Sequence, residues 1–210
     1  MPLTPFDAGP FLAKVKRKRT RFYKAGDIIF RQGADADSAC YLSCGMIKQT
    51  VMADGREVVV EIVHTGDFFG VSDLDGRHVR VCGAFALKAC TVVEVANEDL
   101  RQAIDADSVF ARLFMTHLLD RERRAQTDKA ASIFGSVEER LAHVLIQLAS
   151  PAGTIEPEIT HGILAGMIGT TRPHVSSFMS RFRKAGLIKY AGDAVEIDAK
   201  ALYEAILEKG

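Results

Sequence analysis

The side chains best suited to recognition chemistry cluster near the C-terminal end: Thr170, Thr171, Arg172, His174, Ser176, Ser177, Arg181 and Lys184. Arginine, lysine and serine hold phosphates, and residues at the start of a recognition helix reach base edges. Their spacing sets them on one face of a helix. Val175, Phe178, Met179 and Phe182 form the apolar stripe of the other face. Thr170 or Thr171 is the expected N-cap, and Pro173 falls in the first turn, where its missing N–H costs nothing.

The elements that must position this helix are readable on either side of it. Thr160 caps a shorter helix with the stripe Ile163, Leu164, Met167 and Ile168, and Gly169 can take the left-handed conformation that ends it. After Gly186, Leu187-Ile188-Lys189-Tyr190, a turn at Gly192-Asp193, and Ala194-Val195-Glu196-Ile197 read as a β-hairpin. The spacing predicts a winged helix-turn-helix that presents its second helix to a DNA major groove.

Composition bounds the rest. The chain has 210 residues, with 27 Lys and Arg against 27 Asp and Glu, for a net charge of zero. DNA binding therefore rests on a local patch, not on a global basic field. No apolar stretch approaches the ~20 residues of a membrane helix, and no signal-peptide pattern opens the chain, so no membrane role is expected. Cys40, Cys44, Cys82 and Cys90 lack CxxC spacing, which suits free thiols in a reducing cytoplasm. The basic run Lys14 to Arg21 reads as a solvated strand edge more than as a nucleic-acid tail, with a strand beginning at Arg21-Phe22-Tyr23.

From about Thr20 to Val95, short apolar runs broken by Gly and Asp predict antiparallel β structure. Gly26-Asp27-Ile28-Ile29-Phe30 is echoed by Gly66-Asp67-Phe68-Phe69-Gly70, and Ala53-Asp54-Gly55 marks a hairpin. Evenly spaced turns fit a double-sheet jelly roll, a fold able to enclose a ligand. Helix is expected from Ala106 to about Ile133, with one apolar stripe of Val109, Phe110, Leu113, Phe114, His117 and Leu118. About 26 helical residues would span roughly 39 Å, more than one small barrel covers, which suits packing on a second copy. Phe134-Gly135-Ser136 reads as a hinge, with Ser136 and Glu139 in capping-box positions. The expected domains are residues 1–105 for the barrel, 106–135 for the long helix and hinge, and 136–210 for the winged helix-turn-helix.

In this order the segments resemble the CRP/FNR family of bacterial regulators, over nearly the whole chain. The resemblance is carried by Gly26-Asp27-Ile28-Ile29-Phe30-Arg31-Gln32-Gly33, by Gly66-Asp67-Phe68-Phe69-Gly70, and by Ile168-Gly169-Thr170-Thr171-Arg172 leading into Val175. It implies an α+β protein: an N-terminal double-stranded β-helix (a jelly roll of the cyclic-nucleotide-binding type), a long dimerisation helix, and a C-terminal winged helix-turn-helix. It also implies a homodimer, a palindromic operator in double-stranded DNA, and RNA polymerase as partner if the protein activates.

The departures narrow what the barrel binds. Family members that bind cyclic nucleotides follow the Gly-Asp-Phe-x-Gly turn with Glu and later carry Arg-Ser. Here those positions hold Val71, Arg80 and Val81. Losing a carboxylate and a hydroxyl removes most of the polar code for a nucleotide. The candidate effector pocket is Phe69, Gly70, Val71, Arg80, Val81 and Cys82, and no cofactor is expected. An iron–sulfur version needs cysteines before the barrel, and none precedes Cys40. A haem version would use His78 and Pro2, but the family's cysteine position is Gly76. In the DNA helix, Arg172 keeps the family's arginine, whereas Pro173 and Ser177 replace a Glu and a second Arg.

The expected function is a homodimeric, sequence-specific DNA-binding transcription regulator whose barrel senses a small molecule or redox signal other than cyclic AMP. A regulator with a vestigial barrel, and a cyclic-nucleotide- or haem-dependent member, stay open beside it. A cupin-like enzyme would need clustered His and Glu ligands, and His64 and His78 stand alone, so neither catalytic nor metal-binding residues are expected.

Overall fold

Two copies of one turn launch the barrel's short strands. Asp27 donates its N–H to the Lys24 carbonyl at 3.0 Å while its carboxylate accepts the Lys24 N–H at 2.7 Å. Asp67 makes the same pair of bonds with His64, at 3.0 Å and 3.0 Å. The left-handed φ values of Gly26 (88°) and Gly66 (93°) explain the glycine before each aspartate. The turns lead into β2 (Ile28–Phe30) and β6 (Phe68–Phe69). This computed structural model describes residues 8–53, 55–76, 78–150, 152–155 and 157–207, so Pro2 and Asp54 lie outside the described residues.

With β1 (Lys18–Tyr23), β3 (Ser38–Cys44), β4 (Met46–Ala53), β5 (Arg56–His64), β7 (Gly83–Ala86) and β8 (Cys90–Ala96), these strands form two sheets, ordered β1-β8-β3-β6 and β2-β7-β4-β5. Strand alternation sorts their side chains. Cys40, Leu42, Phe69 and Val92 point between the sheets, where they meet Ile47, Val63, Ala84 and Ala86. Tyr41, Phe68, Val93 and Val95 point the other way, under α1 (Gly9–Lys14), α2 (Asn97–Ala106) and α3 (Ser108–Phe134). A sheet buried on both faces reads as a continuous apolar run, which is why Cys90–Ala96 lacks clean alternation.

The helical region departs from expectation at its start, while its end at Phe134 lies within a residue of the expected one. It begins at Asn97, not Ala106, and breaks at Asp107, whose carboxylate accepts from Val109 N (3.1 Å) and Phe110 N (3.0 Å) to start α3. The single stripe expected on this helix is two faces. Phe110, Phe114 and His117 are buried toward the outer barrel cluster, with Leu118 half-buried, whereas Val109, Leu113, Met115 and Leu119 are exposed. The first strand also starts earlier, at Lys18, and its residues up to Phe22 are exposed.

The chain divides into two compact units, Met1–Arg123 and Arg124–Gly210. The second contains α4 (Val137–Leu148), β9 (Thr154–Ile155), α5 (His161–Ile168), α6 (Arg172–Lys184), β10 (Ile188–Ala191), β11 (Ala194–Ile197) and α7 (Ala199–Leu202). Its hairpin closes on Gly192-Asp193, with Gly192 at φ 62°, and β11 also pairs with β9 to give a sheet ordered β10-β11-β9.

Candidate nucleic-acid interface

The helix-turn-helix is built from local signals that agree. Thr160 caps α5 by accepting from Ile163 N at 3.3 Å, and Gly169 ends it at φ 66°, ψ 44°. Thr171 then stands at the N-cap of α6 in extended conformation, with Pro173 in the first turn. Val175, Met179 and Phe182 are buried, as are Leu164, Ala165 and Ile168 of α5 and Leu141, Ala142 and Leu145 of α4. Phe178, at the stripe's edge, is half-buried, with the Arg181 guanidinium 5.4 Å from its ring centroid. Arg140 locks the corner, donating to the Ile168 carbonyl at the α5 terminus (3.1 Å) and to the Gly135 carbonyl (2.8 Å).

That packing leaves Arg172, His174, Ser177, Arg181 and Lys184 exposed along α6. Thr171 is exposed without a side-chain capping bond, and Thr170 Oγ1 lies 3.1 Å from His174 Nδ1. Arg181 is drawn to Glu138 of α4 at 3.2 Å. Ser176 differs from the others: it is half-buried, and its Oγ lies 2.9 Å from His161 Nδ1 on α5. Burial and the nearby Arg172 charge hold the His161 imidazole below its ordinary range.

His161, Arg183 and Lys189 were not among the expected contacts. Arg183 and Lys189 are exposed, and the Arg183 guanidinium lies 5.8 Å from the ring centroid of Tyr190 on the hairpin. Basic residues flanking an apolar stripe were the available signal for these two. His161 carried none, since its pairing with Ser176 bridges two helices.

The candidate effector residues do not line one cavity together. Phe69 is fully buried between the sheets, with its ring centroid 5.8 Å from that of Phe30. Arg80, 5 % exposed, points inward, with its guanidinium 4.3 Å from the Phe30 centroid. It donates to the Gly70 carbonyl at 3.1 Å and to Ser38 Oγ at 3.2 Å. A side chain at Gly70 would be strained at its φ of 63°, and a Cβ 2.5 Å from Arg80 Nη1 would force that guanidinium to shift. Cys82 is buried and accepts from Gln49 Nε2 at 3.0 Å. Val71 packs instead into the outer cluster, and Val81 is exposed. Cys40 and Cys90 are buried too, and burial pushes the Cys90 thiol up, while Cys44 is exposed. Among the described residues, no group of His, Cys, Asp and Glu could hold a metal, and no helix is long and apolar enough to cross a membrane.

A jelly roll followed by a winged helix-turn-helix defines a regulator class that couples a β-barrel domain to DNA. Sequence comparison agrees: residues 20–107 match the family "Cyclic nucleotide-binding domain", and residues 139–205 match the family "Crp-like helix-turn-helix domain". The chain belongs to the CRP/FNR family of DNA-binding transcription regulators. It is 27% identical to the "CRP-like cAMP-activated global transcriptional regulator" of Mycobacterium tuberculosis, over 83% of this chain and 82% of the relative. It is also 27% identical to the "Cyclic AMP receptor protein" of Thermus thermophilus, over 89% of this chain and 87% of the relative. Among solved structures, FixK2 from Bradyrhizobium japonicum superposes with a TM-score of 0.77 at 19% identity, covering 90% of this chain and 97% of its own. A CRP-family transcriptional regulator from Thermus thermophilus gives 0.72 at 23% identity, covering 88% and 95%. At these identities the structures speak for the fold alone.

Proposed function

We propose that the chain is a homodimeric regulator of palindromic operators whose barrel answers to something other than cyclic AMP. Arg80 carries this reading. The one side chain kept from the nucleotide code is buried and engaged by the protein's own Gly70 carbonyl, Ser38 hydroxyl and Phe30 ring. The partners a nucleotide would need beside it are replaced by Val71, which packs outward, and Val81, which faces solvent. These replacements support a ligand other than a cyclic nucleotide, although a relative is named as cAMP-activated. The engagement of Arg80 by its own chain supports, as a second reading, a barrel that takes no small molecule. Dimerisation is supported by the exposed apolar side of α3, with Val109, Leu113, Met115 and Leu119.

Selection of bound duplexes from a random-sequence pool tests the DNA part. An inverted repeat with half-sites about one helical turn apart, roughly 34–36 Å, is expected. Enrichment of a single asymmetric site, or of none, would overturn it.

A further inference from the structure

One contact in the second unit joins the two helices of the reading head through a titratable ring. His161 is the first residue of α5, and its Nδ1 meets the hydroxyl of Ser176, in the second turn of α6, at 2.9 Å. Both residues are half-buried, so the ring is held between the helices yet still reached by solvent. Arg172 is the α6 charge that faces it. No other residue of α5 is charged. On α4, which also packs against α5, Glu138 is engaged with Arg181, Glu139 with the Ser136 N–H, Arg140 with two carbonyls, and His143 lies 3.4 Å from Gln147.

We propose that His161 is a positioning residue for α6 that takes up a proton from solvent when the operator binds. The proposal rests on the helix-turn-helix reading. Neutral imidazole can meet Ser176 as donor or acceptor, whereas imidazolium must donate through Nδ1, with the hydroxyl accepting. In free protein that cation would stand beside Arg172, and like charge opposes it. Operator phosphates run along a docked helix-turn-helix and offset both cations. The complex therefore binds more protons than the free protein, and affinity rises as pH falls through the range below the ordinary histidine value. Ser176 keeps its partner in either state, so the geometry of α6 survives the proton.

The test is operator affinity by fluorescence anisotropy at constant ionic strength, from about pH 8 to about pH 5, for the full chain. Wild type is expected to tighten as pH falls, by at most about tenfold per pH unit for each half-site. His161→Gln should keep the wild-type affinity at the alkaline end and lose the slope. His161→Asn, whose amide is close to where Nδ1 stands, replaces it should glutamine disturb the fold. His174→Gln should keep the slope, since His174 is the other imidazole on this surface. A slope that persists without His161, or vanishes with His174, overturns the proposal. Wild type that binds with no slope overturns it while leaving the DNA-binding reading intact, and wild type that binds no duplex at any pH removes both.

Discussion

Arg172 and Arg80 are the same side chain set to opposite tasks by what surrounds them. Arg172 stands exposed in the first turn of α6, where its guanidinium fork suits a guanine edge, while Arg80 is folded into the barrel on Gly70, Ser38 and Phe30. Arg172→Ala should cost about 1–3 kcal/mol on the operator and relax selectivity at one base pair per half-site, measured against singly substituted duplexes. A uniform loss on every duplex would instead make Arg172 a phosphate contact. The thiols divide in the same way. Cys44 is exposed, whereas Cys40, Cys82 and Cys90 are buried and burial keeps the Cys90 thiol protonated. Native protein should therefore take up maleimide at Cys44 and react at the other three only on unfolding, as read by mass spectrometry of labelled peptides. Residue types at the site were legible in the sequence, but side-chain directions were not. Ser176, Val71 and Val81 sat on the expected elements, yet Ser176 turns to α5, Val71 to the outer cluster and Val81 to solvent.

Elements with local signals were readable, and those held by distant contacts were not. The Ser136–Glu139 capping box is present in both directions, with Glu139 N to Ser136 Oγ at 3.2 Å and Ser136 N to Glu139 Oε2 at 2.5 Å. Ser136→Ala should destabilise the second unit by about 1 kcal/mol in urea unfolding, with the first unit unchanged. By contrast, α1 and α2 begin at Ala8 and Ala96 with no side-chain cap, and only weaker start signals remain: Pro10 in the first turn of α1, and Glu98 and Asp99 in that of α2. They exist because the outer face of the β1-β8-β3-β6 sheet needs cover. The two faces of α3 were hidden for a related reason. His117 accepts the Phe68 N–H at 3.2 Å, Arg121 donates to the Phe68 carbonyl, and the Arg121 guanidinium grips Glu61 at 2.5 Å. These contacts turn one side of the helix to the barrel, and no periodicity in the helix itself encodes them.

At the scale of the whole molecule, the order barrel, helices, winged helix-turn-helix was legible because each segment repeats its own period and turn chemistry. The proposed dimer would be built on the exposed side of α3. Leu113→Glu with Leu119→Glu should leave both units folded but shift the chain to a monomer in sedimentation velocity, since charge placed in an apolar seam goes unpaired. The most direct measurement is titration of a selected operator with the full chain, with and without saturating cyclic AMP. Saturation at two chains per duplex, with the same affinity in both conditions, is the predicted result. Tight binding only with cyclic AMP present, or saturation at one chain per duplex, would contradict it.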